Sequence, residues 1–146
     1  MVLLLLLALA AQSGDTAALE RRMVELINVE RDARAIPLLE SHAELADVAR
    51  RYSRRMVETG RVDHEVDRPM EARILDVLPN TCMFAENVSK HTSVDYSLAD
   101  LMSSEGHRAN VLNPDYTTIG VGIVRGEDGF LYITQEFARP CPQRRR

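Results

Sequence analysis

One stretch organises this sequence, and it runs Ser103-Ser104-Glu105-Gly106-His107-Arg108-Ala109-Asn110-Val111-Leu112. It gathers turn-forming, charged and imidazole groups between an amphipathic segment and an apolar, hairpin-like run. Segments that connect regular elements often carry the chemistry of a protein, so His107 is a candidate functional residue. Taken alone, His107 would be a surface residue at a helix start. Two further fragments, Asp63-His64-Glu65 and Ala85-Glu86-Asn87, carry a second imidazole and a carboxylate beside predicted element edges.

The N-terminal residues have the pattern of a secretory signal. Residues 2–9 form an uncharged apolar run that ends in the A-x-A pattern Ala8-Leu9-Ala10. We therefore expect a signal peptide over residues 1–11 and a secreted protein, extracellular or periplasmic. The run is shorter than the roughly 20 apolar residues that a transmembrane span needs. No Lys or Arg precedes it, and a buried N-terminal helix or a lipoprotein-like anchor is the alternative.

Length and charge limit the class of protein. A chain of 146 residues fits one domain, and no repeat, low-complexity region or linker divides residues 12–146. The formal net charge of -4 gives no overall attraction to nucleic acid. The two cysteines, Cys82 and Cys141, permit one disulfide in an exported protein; the alternative is two free thiols.

Apolar residues at helical spacing predict helices in the first two thirds of the chain. Asp15 can cap a helix that continues to about Arg34. Ser41 begins a capping box for a second helix, which ends at Gly60. A short helix is predicted over residues 69–78, and a helical stripe over residues 94–102 leads into the 103–112 stretch.

The last third of the chain changes to the period of a β-strand. Residues 119–124 alternate around glycines, Glu127-Asp128-Gly129 has turn chemistry, and residues 130–137 form a β-rich return strand. Glu86-Asn87-Val88 is predicted to be a further short strand. Because helices precede most of the strands, the pattern indicates an α+β fold.

In their order along the chain, these fragments resemble the CAP superfamily of cysteine-rich secretory proteins, antigen 5 and plant pathogenesis-related proteins. The resemblance is strongest to the bacterial SCP-like extracellular branch, and it covers nearly everything after the signal. The fragments that carry it are Asn28-Val29-Glu30-Arg31, residues 45–56, His64, Ala85-Glu86-Asn87, residues 104–112, Ile119-Gly120-Val121-Gly122 and Thr134-Gln135-Glu136-Phe137.

The resemblance implies an α-β-α sandwich with a central three-stranded antiparallel sheet, and a cleft that holds two histidines and acidic residues. His64 and His107 match the two cleft histidines, and Glu86 matches the carboxylate of the Glu-Asn motif. The insert that carries the family's second cleft glutamate is absent from this chain. Glu105 stands where the bacterial pattern has proline, so it is not assigned that role.

The resemblance also implies how the cysteines pair. In the family sheet, the strand that carries Glu86 and the final strand run antiparallel. Cys82 precedes the first of these strands and Cys141 follows the second. Both cysteines should therefore lie at one end of the sheet and form a disulfide.

Three chemical roles are open to His64, Glu86 and His107. The two imidazoles, His64 and His107, can bind Zn²⁺ or another divalent cation and leave a position for water. The same three groups can act as acid and base, or they can form a hydrogen-bonded cluster that only fixes three loops. No His-Glu-x-x-His or Gly-x-Ser-x-Gly motif supports a hydrolase.

We therefore expect a secreted binding or interaction module more than an enzyme. Its His/Glu cleft would take a divalent metal or a small apolar ligand, such as a lipid-like molecule from the cell envelope. We expect a monomer with no transmembrane span and no nucleic-acid partner. The alternative is a metal-assisted, peptidase-like hydrolase that uses the same cleft.

Overall fold

The structure, a computed structural model, describes the backbone of residues 2–142 and the side chains of residues 15–142. Over this range the chain forms five helices and four strands. In chain order they are α1 (Val2–Asp32), β1 (Glu40–Ser41), α2 (Ala43–Thr59), α3 (Met70–Val77), β2 (Thr81–His91), α4 (Val94–Ser103), α5 (Glu105–Leu112), β3 (Thr118–Arg125) and β4 (Leu131–Pro140).

The sheet is mixed and has four strands in the order β1-β3-β4-β2. Its three long strands are antiparallel, and the predicted hairpin is β3 and β4. The expectation of a three-stranded, purely antiparallel sheet is wrong, because β1 adds a parallel pair through Glu40 and Ser41 at the β3 edge. Two exposed polar residues have no periodicity that a sequence pattern could reveal.

The first helix is longer than predicted, since α1 begins at Val2 and not at Asp15. The expected signal peptide, residues 1–11, lies outside the residues whose side chains are described. Export therefore stays a prediction. Among the described residues, no helix is long and apolar enough to cross a membrane.

The second helix differs from prediction at its start. The N-cap of α2 is His42, whose Nδ1 accepts a hydrogen bond from the Leu45 amide at 3.3 Å. Ser41, the predicted capping residue, belongs to β1 instead. At the other end Gly60 adopts the left-handed conformation with φ 67°, as predicted for a residue that terminates a helix.

Helices cover both faces of the sheet, which gives the expected α-β-α layers. Helices α1, α4 and α5 pack on one face and α2 and α3 on the other, because side chains alternate along each strand. The first face buries Met23, Ile27, Leu98, Ile119, Ile133 and Phe137. The second buries Leu45, Tyr52, Met56, Ile74, Tyr132 and Ala138.

Two glycines of β3 allow α2 to lie directly on the sheet. A Cβ added at Gly120 or at Gly122 would come closer than 3.0 Å to main-chain atoms of α2. No larger residue fits at these positions without moving the helix. The main chains of α2 and β3 are therefore in direct contact.

A buried arginine ties the end of α1 to two other segments. Arg31 is fully buried and donates hydrogen bonds to the carbonyl oxygens of Pro37 (2.8 Å), Val111 (2.8 Å), Asn113 (2.9 Å) and Tyr116 (3.2 Å). A buried charge is tolerated when its donors are satisfied in this way. Arg31 thus fixes the C-terminal end of α5 against α1, and α5 is the helix that carries His107.

The predicted disulfide between Cys82 and Cys141 is confirmed, with the two Cα atoms 4.8 Å apart. The register of β2 and β4 brings the cysteines together, since Thr81 pairs with Pro140 at the end of the two strands. The bond links the beginning of β2 to the end of β4.

Candidate functional site

His64 lies in the loop between α2 and α3, and Tyr52 holds that loop from beneath. The Tyr52 hydroxyl donates to the Asp63 carbonyl (2.8 Å) and accepts from the Val66 amide (3.3 Å). Tyr52 is fully buried on the apolar face of α2, and burial raises its pKa to about 12. The phenol therefore stays a neutral donor, and it fixes the main chain on both sides of His64.

Glu86 joins the His64 loop to α3. Its Oε1 pairs with His64 Nδ1 at 2.8 Å, and its Oε2 accepts a hydrogen bond from Arg73 Nη2 at 2.6 Å. The Glu86 side chain is only 1% exposed, whereas that of His64 is 53% exposed. Both carboxylate oxygens are thus engaged inside the protein, and the imidazole is the part of this pair that reaches solvent.

Arg73 connects Glu86 to a second buried carboxyl group. Its Nη1 donates to Glu136 Oε1 at 2.5 Å, and its guanidinium stacks 3.7 Å above the ring of Tyr52. Glu86 and Glu136 face each other on the neighbouring strands β2 and β4. These four polar groups, His64, Arg73, Glu86 and Glu136, are called the buried cluster below.

The two carboxyl groups of the buried cluster differ in their pKa values. Burial and the charge of Glu86 raise the pKa of Glu136 well above its usual value. Burial alone would also raise the pKa of Glu86, but the hydrogen bond from His64 and the charge of Arg73 outweigh it and lower that pKa. Of the two groups, Glu136 is therefore the one that favours its protonated form, because two close carboxyl groups that share one cation resist ionising together.

The hydrogen bond to Glu86 also raises the pKa of His64, against the opposing effect of burial. Glu136 keeps one oxygen, Oε2, without a hydrogen-bond partner among the described residues, although the side chain is fully buried. Among the described residues, that oxygen is the one fully buried side-chain polar atom without a hydrogen-bond partner.

His107 approaches from the other side of β2, on α5. Its carbonyl oxygen accepts a hydrogen bond from Asn87 Nδ2 at 3.2 Å. Asn110 Nδ2 donates to Asn87 Oδ1 (2.9 Å) and to the Glu86 carbonyl (3.4 Å), so α5 lies along the free edge of β2. Among the described side chains, no hydrogen bond or ion pair joins the His107 ring to His64 or Glu86.

Of the three predicted site residues, the structure joins His64 and Glu86 by a side-chain contact, whereas His107 is tied only by its main-chain carbonyl to Asn87, the residue after Glu86. Glu105 is exposed at the start of α5, and the second carboxyl group near Glu86 comes from Glu136. Asn87 is fully buried, so the sequence Asn87-Val88-Ser89, which has the form of a glycosylation site, is inaccessible.

The donor set around His64 fits a metal only in part. Among the side chains of residues 15–142, no group of three or more His, Cys, Asp or Glu is placed to hold a metal ion. A metal-binding histidine usually donates its second ring N–H to a carboxylate, and Glu86 has that position relative to His64 Nδ1. Glu86 is therefore suited to orient a ligand and not to be one, which leaves His64 Nε2 and the ring of His107 as candidate donors.

Sequence reasoning missed Arg73 and Glu136. Arg73 lies in the predicted short helix next to Ile74, and Glu136 lies in the return strand between Gln135 and Phe137. A carboxylate within a strand of otherwise buried residues signals a buried partner. The position of Glu136 in such a strand could be read from the sequence, but the sequence does not show which cationic side chain is its partner.

Comparison with known proteins supports the family resemblance. The family profile of CAP, the cysteine-rich secretory protein family, matches residues 24–137. The chain is 33% identical over 129 residues to YkwD, an uncharacterised protein of Bacillus subtilis; the match covers 85% of this chain and 48% of YkwD. The chain thus spans about half the length of this curated relative.

Solved structures have the same fold. An extracellular protein of Bacillus anthracis that contains an SCP domain superposes with a TM-score of 0.80 at 26% identity, over 88% of this chain and 42% of that one. An outer surface protein of Borrelia burgdorferi superposes with a TM-score of 0.76 at 19% identity, over 83% of this chain and 92% of that one. The resemblance seen in the sequence is confirmed, and this chain belongs to the CAP family of cysteine-rich secretory proteins.

Proposed function

We propose that this chain is an exported CAP-domain binding module, in which the buried cluster forms the rigid floor of a small-ligand cleft. The observation that carries this proposal is the state of Glu86. Both of its oxygens are engaged, by His64 and by Arg73, and its side chain is 1% exposed. A carboxylate in this state orients its neighbours and is poorly placed to take a proton from a substrate.

The neighbouring groups support a positioning role. A general base must come within hydrogen-bond reach of the proton that it removes. Glu136 is fully buried and out of reach of a substrate, and its raised pKa favours the protonated form, so it is poorly suited to act as that base. Arg73 neutralises Glu86 and stacks on Tyr52, which makes the arrangement stiff. The solvent-facing part of the cleft is the imidazole of His64.

The ligand that this arrangement favours is small and binds imidazole. A divalent cation such as Zn²⁺ would be held by His64 and His107, with Glu86 orienting the His64 ring. Two protein ligands make such a site weak, and the positive charge of Arg73 beneath His64 weakens it further. A small lipid-like molecule from the cell envelope is the other ligand class that we expect at this cleft.

Export is part of the proposal. It is supported by the apolar run of residues 2–9 and the pattern Ala8-Leu9-Ala10, and by the disulfide, a bond typical of oxidising compartments. Mass spectrometry of protein recovered from the native host should find an N-terminus near Ala11. Cytosolic protein that retains Met1 would contradict export.

Calorimetric titration with Zn²⁺ tests the cleft. We compare the wild type with His64→Ala and His107→Ala, and with His91→Ala as the control, because His91 pairs with Asp100 away from the cleft. Wild type and control should bind one ion, and the two cleft variants should lose binding. The affinity should fall as the pH drops through the His64 pKa, since the imidazole must be neutral to bind metal. Equal affinity in all four proteins would refute the metal role.

A metal-assisted hydrolase is the second candidate, and one observation favours it. His64 is half exposed and its Nδ1 is oriented by a carboxylate, an arrangement that general bases also use. Incubation of the Zn²⁺-loaded protein with a peptide mixture, followed by mass spectrometry, separates the candidates. Cleavage that is present in the wild type and lost in His64→Ala would establish the hydrolase and refute a pure binding role.

A further inference from the structure

The edge of the sheet opposite the cleft has a gap in its hydrogen bonding. At one side of the gap, the His42 amide donates to the Ile119 carbonyl at 2.9 Å, where β1 ends. At the other side, the Ile123 amide donates to Glu20 Oε1 at 3.0 Å. Backbone groups of every second residue in a strand point to the same edge. Val121 therefore directs its N–H and its carbonyl oxygen into the gap.

Neither polar group of Val121 has a partner among the described residues. Val121 is also 2% exposed. A buried backbone donor and acceptor without partners cost free energy, and native proteins almost always satisfy them. The gap is one residue long, because β1 fills the position before it and the Glu20 carboxylate fills the position after it.

A cavity of about 360 Å³ lies over this gap, between α1 and the start of α2. Its apolar walls include Ala17, Val24 and Ala46. Arg50 holds the Glu20 carboxylate with two hydrogen bonds, of 2.9 and 2.8 Å, and so makes that end of the cavity rigid. Small-ligand sites have volumes of about 300–1,000 Å³ and are mostly apolar, with a few placed polar groups. We call this cavity the edge groove.

We propose that the edge groove binds an N-acylated amino acid, which adds a one-residue strand to β3. Opposed residues of an antiparallel pair exchange two hydrogen bonds. The amide N–H of the ligand would donate to the Val121 carbonyl, and its carboxyl oxygen would accept from the Val121 N–H. Addition of a strand at a sheet edge is a general mode of peptide recognition.

The positive charge that lines the edge groove favours a ligand with a free carboxylate. Arg21 lines the edge groove, is exposed, and has no ion-pair partner among the side chains of residues 15–142. The nearby Arg50 is already neutralised by Glu20 and Asp47. Arg21 is thus the cation available to the carboxylate of the ligand. None of the buried cluster lines this groove, so the proposal does not depend on the function of the cleft.

Titration of ¹⁵N-labelled protein with N-acetylalanine, followed by NMR, tests the proposal. O-acetyl-lactate is the matched probe, since it has the same shape and charge but an ester oxygen in place of the amide N–H. N-acetylalanine should shift the Val121 amide signal in a saturable way. The ester should bind about tenfold more weakly, the effect of one lost hydrogen bond. This comparison needs no variant protein.

Two variants test whether the ligand binds in the edge groove. Ala46→Leu, in a wall of the edge groove, should abolish the shift of the Val121 signal. Ala99→Leu makes the same change on the exposed face of α4 and should leave the titration unchanged. Equal binding of the amide and the ester would overturn the proposal. So would binding that survives in Ala46→Leu, or the absence of any saturable shift at Val121, which would mean that the gap holds only water.

Discussion

Gly122 lets the main chain of α2 lie on β3, and its replacement by alanine tests that contact. A Cβ at Gly122 would come within 3.0 Å of main-chain atoms of Ala49 and Arg50. Carbon atoms in contact are about 3.5–4.0 Å apart, so α2 would have to move outward by on the order of 1 Å. A helix main chain cannot rotate aside as a flexible side chain can.

The magnitude follows from what α2 buries. The helix contributes the buried residues Leu45, Val48, Ala49, Tyr52, Ser53 and Met56. A gap of about 0.5–1 Å already forfeits a quarter to a half of the dispersion energy of a contact. Overpacking in a core usually costs about 1–3 kcal/mol. Because a whole helix is displaced here, we expect Gly122→Ala to lower the free energy of unfolding by about 3 kcal/mol or more.

Gly106→Ala is the matched control. Gly106 lies in α5, and a Cβ there meets no atom within 4 Å. Alanine should therefore stabilise the protein by about 0.5–1 kcal/mol through its helix propensity. Urea unfolding of both variants with the disulfide intact, followed by circular dichroism, gives both values. A loss below about 1 kcal/mol at Gly122, or an equal loss at Gly106, would refute direct contact between α2 and β3.

Three further predictions concern the disulfide and the buried cluster. Reduction of the disulfide should cost about 4 kcal/mol, because its cysteines are 59 residues apart; an unchanged urea midpoint in dithiothreitol would contradict this. Arg73→Met should cost about 3–5 kcal/mol, since it leaves the buried Glu86 charge without its cation, whereas Glu136→Gln should cost less than about 1 kcal/mol by keeping a neutral group. If Arg73→Met and Glu136→Gln lowered the free energy of unfolding equally in urea, the assignment of the negative charge to Glu86 would be refuted. The pKa of His64 is raised in the folded protein, so the pair of His64 with Glu86 stabilises the fold fully below about pH 6.5, the unperturbed His value. This stabilisation is lost as the pH rises through the higher, folded-state pKa. The difference in urea midpoint between wild type and His64→Gln should shrink over that range, and a constant difference would count against the His64–Glu86 pair.

The elements that sequence predicted correctly are those with long, regular apolar patterns. The stripe of α2 and the β3–β4 hairpin both extend over enough residues for their periods to be distinguished. By contrast, β1 has two exposed residues, and its pairing depends on where α1 and α2 place it. The N-cap of α2 was misplaced by one residue, because a histidine ring nitrogen replaced the expected serine hydroxyl.

The sequence allowed individual residues of the site to be predicted, but not their contacts with one another. His64, Glu86 and His107 stand out in the sequence as imidazoles and a carboxylate beside element edges, the family resemblance assigns them to one cleft, and the structure supports the contact between the first two. The register of β2 and β4, which sets Glu86 opposite Glu136, is a pairing across 50 residues that no local pattern encodes. Arg73 could not be assigned as their shared cation until that register was known.

The arrangement of the cleft follows from one property of β2, that consecutive side chains point to opposite faces of the sheet. Glu86 points toward α2 and α3 and holds His64 and Arg73, while Asn87 points toward α5 and holds the main chain of His107. The two histidines therefore belong to different layers, and each is positioned by its own residue of the Glu-Asn pair. In the function proposed above, a ligand held by both imidazoles would connect the two layers across the free edge of β2, and such a site requires the Glu-Asn pair to stand on an edge strand.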